Sequence, residues 1–214
     1  MSADLDKATT RNFLDGLRSF VATFDDQRDT AREDDALALT ESREHHTQAV
    51  LFGDLVSRLQ CYSFVVLLVV ILKARLAVFC RTLHRDHGLP QNLDDMEGDF
   101  LERVESYLSN VVHVQPPKDL WCWARDLVLL ASCVGLAAGS VNIVGQRERR
   151  ALQQVVRRRP GLFLESDDLL FSRSPELTKH AEPVLVIETE FCLESVTAVQ
   201  GLFGYLYQHR APGS

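Results

Sequence analysis

Proline and glycine are scarce in this 214-residue chain, at 7 and 11 residues, which excludes collagen-like and low-complexity architectures. The five cysteines, Cys61, Cys80, Cys122, Cys133 and Cys192, are odd in number and widely spaced. They form no C-x-x-C and have no His pair at zinc-finger spacing, so neither a structural zinc site nor a disulfide framework is expected. Four of them lie in apolar stretches, where a thiol acts as a small buried hydrophobe, and this reads as a reducing compartment. The first residues, Met1 to Lys7, hold neither a basic nor an apolar signal region, so a cytoplasmic location is expected.

Phosphate-binding and hydrolase signatures are missing as well: there is no G-x-x-x-x-G-K-S/T, no G-x-G-x-x-G after a strand and no G-x-S-x-G. His45 and His46, next to Glu44, diverge by about 100° on a helix and have no further ligand in view, so neither a metal nor a cofactor is expected. Acidic residues outnumber basic ones, 30 to 23, for a net charge of −7. Such a chain does not coat nucleic acid with its whole surface, and nothing signals DNA specifically.

What is present is apolar sequence at helical spacing. Phe13, Leu14, Leu17, Phe20, Val21 and Phe24 form one stripe and predict a helix over about 5–25, and the acidic stretch 25–35 is either a solvated helix face or a linker, with the linker preferred. Periodicity resumes at Ala49 and runs to Cys80 as a central helix or helix pair, ending at His87-Gly88-Leu89-Pro90. Asn92 to Val112, Trp121 to Ala138 behind Pro117, and Glu148 to Arg159 predict three more helices. Trp121 and Trp123 cannot share one face, and packing in the core is expected of at least one. Leu162–Leu164 and Leu169–Leu170–Phe171 around Glu165–Asp168 suggest a β-hairpin, with Val184–Ile187 as a further short strand. Thr189 to Tyr207 closes the chain as an amphipathic helix. The fold class is therefore mostly α, a helical bundle with a small β-hairpin in the C-terminal third; residues 1–44 read as an N-terminal helical extension and 45–210 as the bundle.

Two segments raise a membrane alternative: nine consecutive apolar residues over Phe64–Leu72, and Leu127–Val144 without a charge, with Gly135 and Gly139 at small-xxx-small spacing. A bilayer requires ~20 residues, and the first run meets Lys73 and Arg75, each costing ~2.5–3.5 kcal/mol at mid-membrane. The second breaks at Gly139. Both read better as buried helices than as spans of a multi-span membrane protein.

Charge is concentrated in one place. Residues 147–159 carry Arg147, Arg149, Arg150, Arg157, Arg158 and Arg159 against Glu148, a net +5 in a chain whose total is −7. A run of this kind grips RNA phosphates or an acidic partner surface; its plain alternative is a solvated helix face. A second basic cluster, Arg81-Thr82-Leu83-His84-Arg85-Asp86-His87, has an Arg-x5-His spacing, and its plain reading is cations complementing the C-terminal dipole.

The order of elements, with Leu72-Lys73-Ala74-Arg75-Leu76, Leu93-Asp94-Asp95, Val104-Glu105-Ser106-Tyr107-Leu108, Trp121, Cys133-Val134 and Gly139-Ser140-Val141 before a basic helix, hairpin and final helix, resembles the bacterial HEPN helical domains over most of residues 45–207. The resemblance implies a bundle that pairs with a second copy, in toxin–antitoxin or phage-defence settings, and that in active members cleaves RNA without metal. There two Arg hold the scissile phosphate and a His moves the proton of the 2′-hydroxyl. The positions matching that motif are Ala131, Ser132 and Leu136, which have none of this chemistry, and Lys73 stands where an acid is expected. The resulting expectation is a degenerate active site in a homodimeric module that binds RNA or a partner protein through its arginines. The alternative is a metal-independent endoribonuclease using Arg81 and His87.

Overall fold

The computed structural model describes residues 3–38, 43–141, 145–166 and 183–209, and it is mostly α with a two-stranded antiparallel hairpin. The helices are α1 (Ala3–Ala38), α2 (Arg43–His87), α3 (Phe100–Tyr107), α4 (Lys118–Ala137), α5 (Gln146–Arg158) and α6 (Thr189–Gln208). The strands are β1 (Leu162–Ser166) and β2 (Pro183–Ile187), paired in the register Leu162↔Ile187 to Ser166↔Pro183.

Three local outcomes differ from the sequence pattern. The acidic stretch 25–35 belongs to α1 rather than to a linker. No Gly or Pro interrupts residues 17–52, and charged side chains alone do not break a helix. The span from Asn92 to Val112 is not one helix: a 3₁₀ turn over Leu93–Asp95 and α3 are separated at Gly98, whose φ of 105° no helix accepts. Each start has its own capping box, Asn92 with Asp95 and Asp99 with Glu102, so the acids that suggested one N-terminus serve two. A π-helical turn, Leu108–Val112, follows α3 and ends at His113 in the left-handed region. Lastly, the strand opposite Leu162–Leu164 is Val184–Ile187; Glu165 and Ser166 extend β1, and Leu169–Phe171 falls outside the described residues.

Helix ends follow local chemistry. Gly88 takes φ 58° and the Leu89 N–H reaches back to the His84 carbonyl at 3.2 Å, a Schellman end to α2. At the start of α4 the Trp121 N–H donates to Pro117 O at 3.0 Å. Position 44/45, expected as a boundary, lies inside α2. The chain instead divides into two compact units, each assembled from sequence-distant pieces.

The first unit comprises Met1–Leu17, Leu67–Leu127 and Ser195–Ser214. Its core holds Leu14, Leu68, Leu72, Leu76, Leu83, Val104, Tyr107, Trp121, Leu202 and Leu206. Phe79 meets Tyr207 edge-on at 5.4 Å between ring centroids. The second unit comprises Arg18–Val66 and Val128–Glu194. Val21, Phe64, Val65, Leu130, Cys133, Leu152, Leu185 and Phe191 are buried there.

A glycine sets the junction of the second unit. The chain leaves α4 through Ala138 (φ 47°) and Gly139 (φ 86°), then runs along β2: Leu185 N donates to Gly139 O at 2.9 Å, and Val141 N donates to Pro183 O at 3.1 Å. The Tyr62 ring lies against Gly139, where any Cβ would collide with it, and its hydroxyl donates to Leu185 O. Arg58 on α2 pairs with Glu165 on β1 at 3.1 Å.

Candidate nucleic-acid interface

Helix α5 is sharply two-faced. Leu152 and Val155 are buried, while Arg147, Arg150, Gln154 and Arg157 recur at i, i+3, i+7 and i+10 and are all exposed. At ~100° per residue these four share one side, opposite Leu152, with Arg158 beside them. From Arg147 to Arg157 the stripe is about 15 Å long at 1.5 Å per residue. Among the described residues Arg147, Arg150 and Arg157 make no ion pair. Arg149 and Arg159 lie nearer the core and are half-buried; they and Arg158 have interactions within the chain. The six sequence-predicted arginines therefore split into a solvent stripe of four and a pair turned inward.

Position along the helix matters as well as face. Glu148 sits in the first turn and Arg157 and Arg158 in the last, each complementing the dipole, and Pro160 follows the cap at Arg159. Arg147 and Arg150 lie near the positive end instead, where the helix dipole adds to their field and favours an anion in front of them.

On the other side of α5 is a groove of ≈ 380 Å³ shared with the C-terminal half of α4, walled by Leu129, Cys133, Leu136 and Leu152, with Ser132 and Glu148 on its lining. It contains the matched motif positions Ser132 and Leu136. Leu136 is 82% exposed, and Ser132 Oγ is turned onto Val128 O at 3.0 Å. The groove's titratable groups are the Glu148 carboxylate and the Cys133 thiol, which burial pushes above its ordinary range. Neither is a cation that would hold a phosphate.

Among the described residues, Arg81 and His87 at the basic end of α2 do not share one helix face. Arg81 and His87 are both exposed, and six helical positions turn them about 120° apart. His84 Nδ1 lies 3.0 Å from Gln91 O and Arg85 pairs with Asp86 at 3.1 Å, so both cluster members serve the helix end. Lys73 is half-buried on α2. Side chains at Glu44, His45 and His46 lie outside the described residues. Trp121 is buried, and Trp123 donates from Nε1 to Ser195 Oγ at 3.2 Å.

One polar cluster escapes the motif reading. In the first unit Asp6, on α1, forms an ion pair with Arg75 of α2, whose side chain is 13% exposed against 6% for the carboxylate. Arg75 also donates to Thr10 Oγ1 and to the Asp6 carbonyl, both at 2.7 Å, and the Tyr207 hydroxyl of α6 donates to Asp6 Oδ2 at 2.7 Å. Burial, together with Asp6, pushes the Tyr207 phenol up to about 12. The signal was available: Asp6 and Thr10 continue the stripe of Leu14, Leu17, Val21 and Phe24 backward, and a polar group on a buried face requires a partner.

No family model, curated protein or solved structure matches this chain.

Proposed function

We propose that this protein is a non-catalytic, HEPN-like module that pairs with a second copy and binds the RNA backbone through the exposed arginines of α5, in a cytoplasmic setting such as toxin–antitoxin or phage defence. The observation that carries the reading is the segregation of Arg147, Arg150 and Arg157 onto the side of α5 opposite buried Leu152, with exposed Arg158 beside them. Guanidinium groups in such a row form charge-assisted, forked hydrogen bonds with phosphate oxygens. The stripe has no aromatic residue for stacking, so it supports backbone contact with little sequence preference. The matched motif positions lack phosphate-binding and proton-moving groups, which supports the non-catalytic part.

The test is a salt titration of single-stranded RNA binding. With three or four phosphates contacted, log K falls with log salt at a slope of about −2 to −3, and Arg147→Gln, Arg150→Gln and Arg157→Gln together flatten it to near −1. Equal affinity and slope in wild type and triple variant would remove the stripe from the reading. If RNA does not bind but an acidic protein does, with the same arginine dependence, the partner is a protein. Incubation of wild type and His87→Ala with RNA in excess EDTA addresses cleavage: hydrolysis lost in the variant would make the protein a ribonuclease working from the end of α2.

A further inference from the structure

The exposed side of α5 has an order along its length as well as a charge. From Arg147 onward, the exposed residues on the side away from Leu152 and Val155 are Arg147 and Arg150, then Gln153 and Gln154, then Arg157 and Arg158. At ~100° per residue these positions share an arc of about 140°. The one acid of the helix, Glu148, lies elsewhere, on the lining of the groove shared with α4. Between Arg150 and Arg157 no residue is charged. At 1.5 Å per residue that leaves about 10 Å of helix without a cation between two basic ends. All of these residues belong to one compact unit and one helix, so the helix itself fixes their spacing.

This order selects among nucleic acids. A single strand is matched by a basic track that follows its backbone and by aromatic side chains on which its bases stack. Helix α5 interrupts the track at its centre and has no aromatic residue. A double helix instead presents two rows of phosphate with a groove between them, and two cationic ends around an uncharged polar centre are the complement of that pattern. In A-form RNA the minor groove is wide and shallow and displays 2′-hydroxyls between the rows. Glutamine amides both donate and accept hydrogen bonds, as a 2′-hydroxyl does. A helix that reads the deep major groove of DNA brings its N-terminal residues to the base edges. In α5 the glutamines stand at the middle, which suits a shallow groove crossed side-on.

We propose that α5 recognises double-stranded RNA by lying across its minor groove. Arg147 and Arg150 hold phosphates of one strand, Arg157 with Arg158 beside it holds those of the other, and Gln153 and Gln154 meet the 2′-hydroxyls between them. The inference rests on the RNA-binding reading of α5 and goes beyond it by naming the form of RNA. Single strands bind through the same arginines, but more weakly, because one backbone engages only one basic end at a time.

The experiment is fluorescence anisotropy of the full chain, at fixed ionic strength, with an RNA duplex of ~16 base pairs, one of its single strands, and the DNA duplex of the same sequence. The RNA duplex is expected to bind at least ~10-fold more tightly than either other probe, and Gln153→Ala with Gln154→Ala to remove about that factor from the RNA duplex alone, since two hydrogen-bonding side chains are lost. Alanine favours helix at exposed positions, so this variant keeps its fold, and its salt slope stays that of wild type because no phosphate contact is removed. Arg147→Gln with Arg157→Gln weakens binding to every probe and flattens the salt dependence. A single strand bound as tightly as the RNA duplex, equal binding of RNA and DNA duplexes, or a glutamine variant that discriminates as wild type does would each overturn the duplex inference and leave the arginine stripe in place. Absence of binding to all the probes, or an arginine variant that binds them as wild type does, would remove the RNA-binding reading and this inference with it.

Discussion

Arg75→Met is expected to be among the most damaging single changes outside the apolar core. The substitution keeps the volume of the aliphatic stem but leaves the Asp6 carboxylate, 6% exposed, with only the Tyr207 hydroxyl as a side-chain partner among the described residues. Breaking one side of a buried pair costs about 3–5 kcal/mol, because the surviving charge stays desolvated. Arg75 also loses its bonds to Thr10 Oγ1 and the Asp6 carbonyl, each worth about 1 kcal/mol net. These bonds belong to the same buried unit, so their loss overlaps with that of the pair and the total is about 3–5 kcal/mol. At 2–4 °C per kcal/mol for a chain of this size, Tm falls by on the order of 10 °C. The assay is chemical and thermal unfolding of wild type, Arg75→Met, Asp6→Leu and the double variant. Either single change strands its partner, whereas the double strands neither, so the double variant should be more stable than Arg75→Met alone. A loss under 1 kcal/mol in Arg75→Met, or a double variant showing the sum of the two singles, would refute the argument that these groups form one buried unit.

Further outcomes follow from the same structure. Tyr207 and Tyr107 both have phenols raised to about 12, by burial first, so the folded state keeps protons that the unfolded state releases from about pH 10. Their contribution is whole below pH 10 and is lost as pH rises toward 12; unfolding followed between pH 9 and 12 should show stability falling, and Tyr207→Phe should flatten that fall. Gly139→Ala should cost about 2 kcal/mol or more, from φ 86° and the Tyr62 ring together. Its neighbour behaves oppositely: Ala138→Gly should gain roughly 0.5–1 kcal/mol by relieving φ 47°, and equal melting temperatures for the two variants would contradict both estimates. A thiol reagent at pH 8 should label exposed Cys122 quickly, while Cys80, buried and raised to about 12, reacts only on unfolding.

Much of the helical architecture was legible because its causes are local. Gly88 ahead of Pro90, Pro117 ahead of Trp121 and the left-handed Gly139 ended or began helices where the chain order placed them, since cap chemistry involves residues within one turn. The two-faced character of α5 was equally readable, because Leu152 and Val155 are three apart and the arginines fall on the remaining positions. Where local signals conflicted, the reading slipped. The acids of 25–35 looked like a linker only because solvated helix faces and linkers share a composition. The two capping boxes at Asn92 and Asp99 looked like one helix start because both supply acids within eight residues.

By itself the sequence determined most of the helical segments, where most of them end and that positive charge is concentrated on α5, because spacing, caps and composition act over a few residues. Only the tertiary structure decided that Arg75 meets Asp6 across 69 positions, that β1 pairs with residues 183–187, and that Arg149 and Arg159 turn inward while Arg147, Arg150 and Arg157 face water. It also decided that Leu59, Leu67 and Val70 of the apolar helix remain uncovered. Each of these depends on which distant surface arrives beside a residue. Periodicity states that a face is apolar; only packing states whether anything covers it.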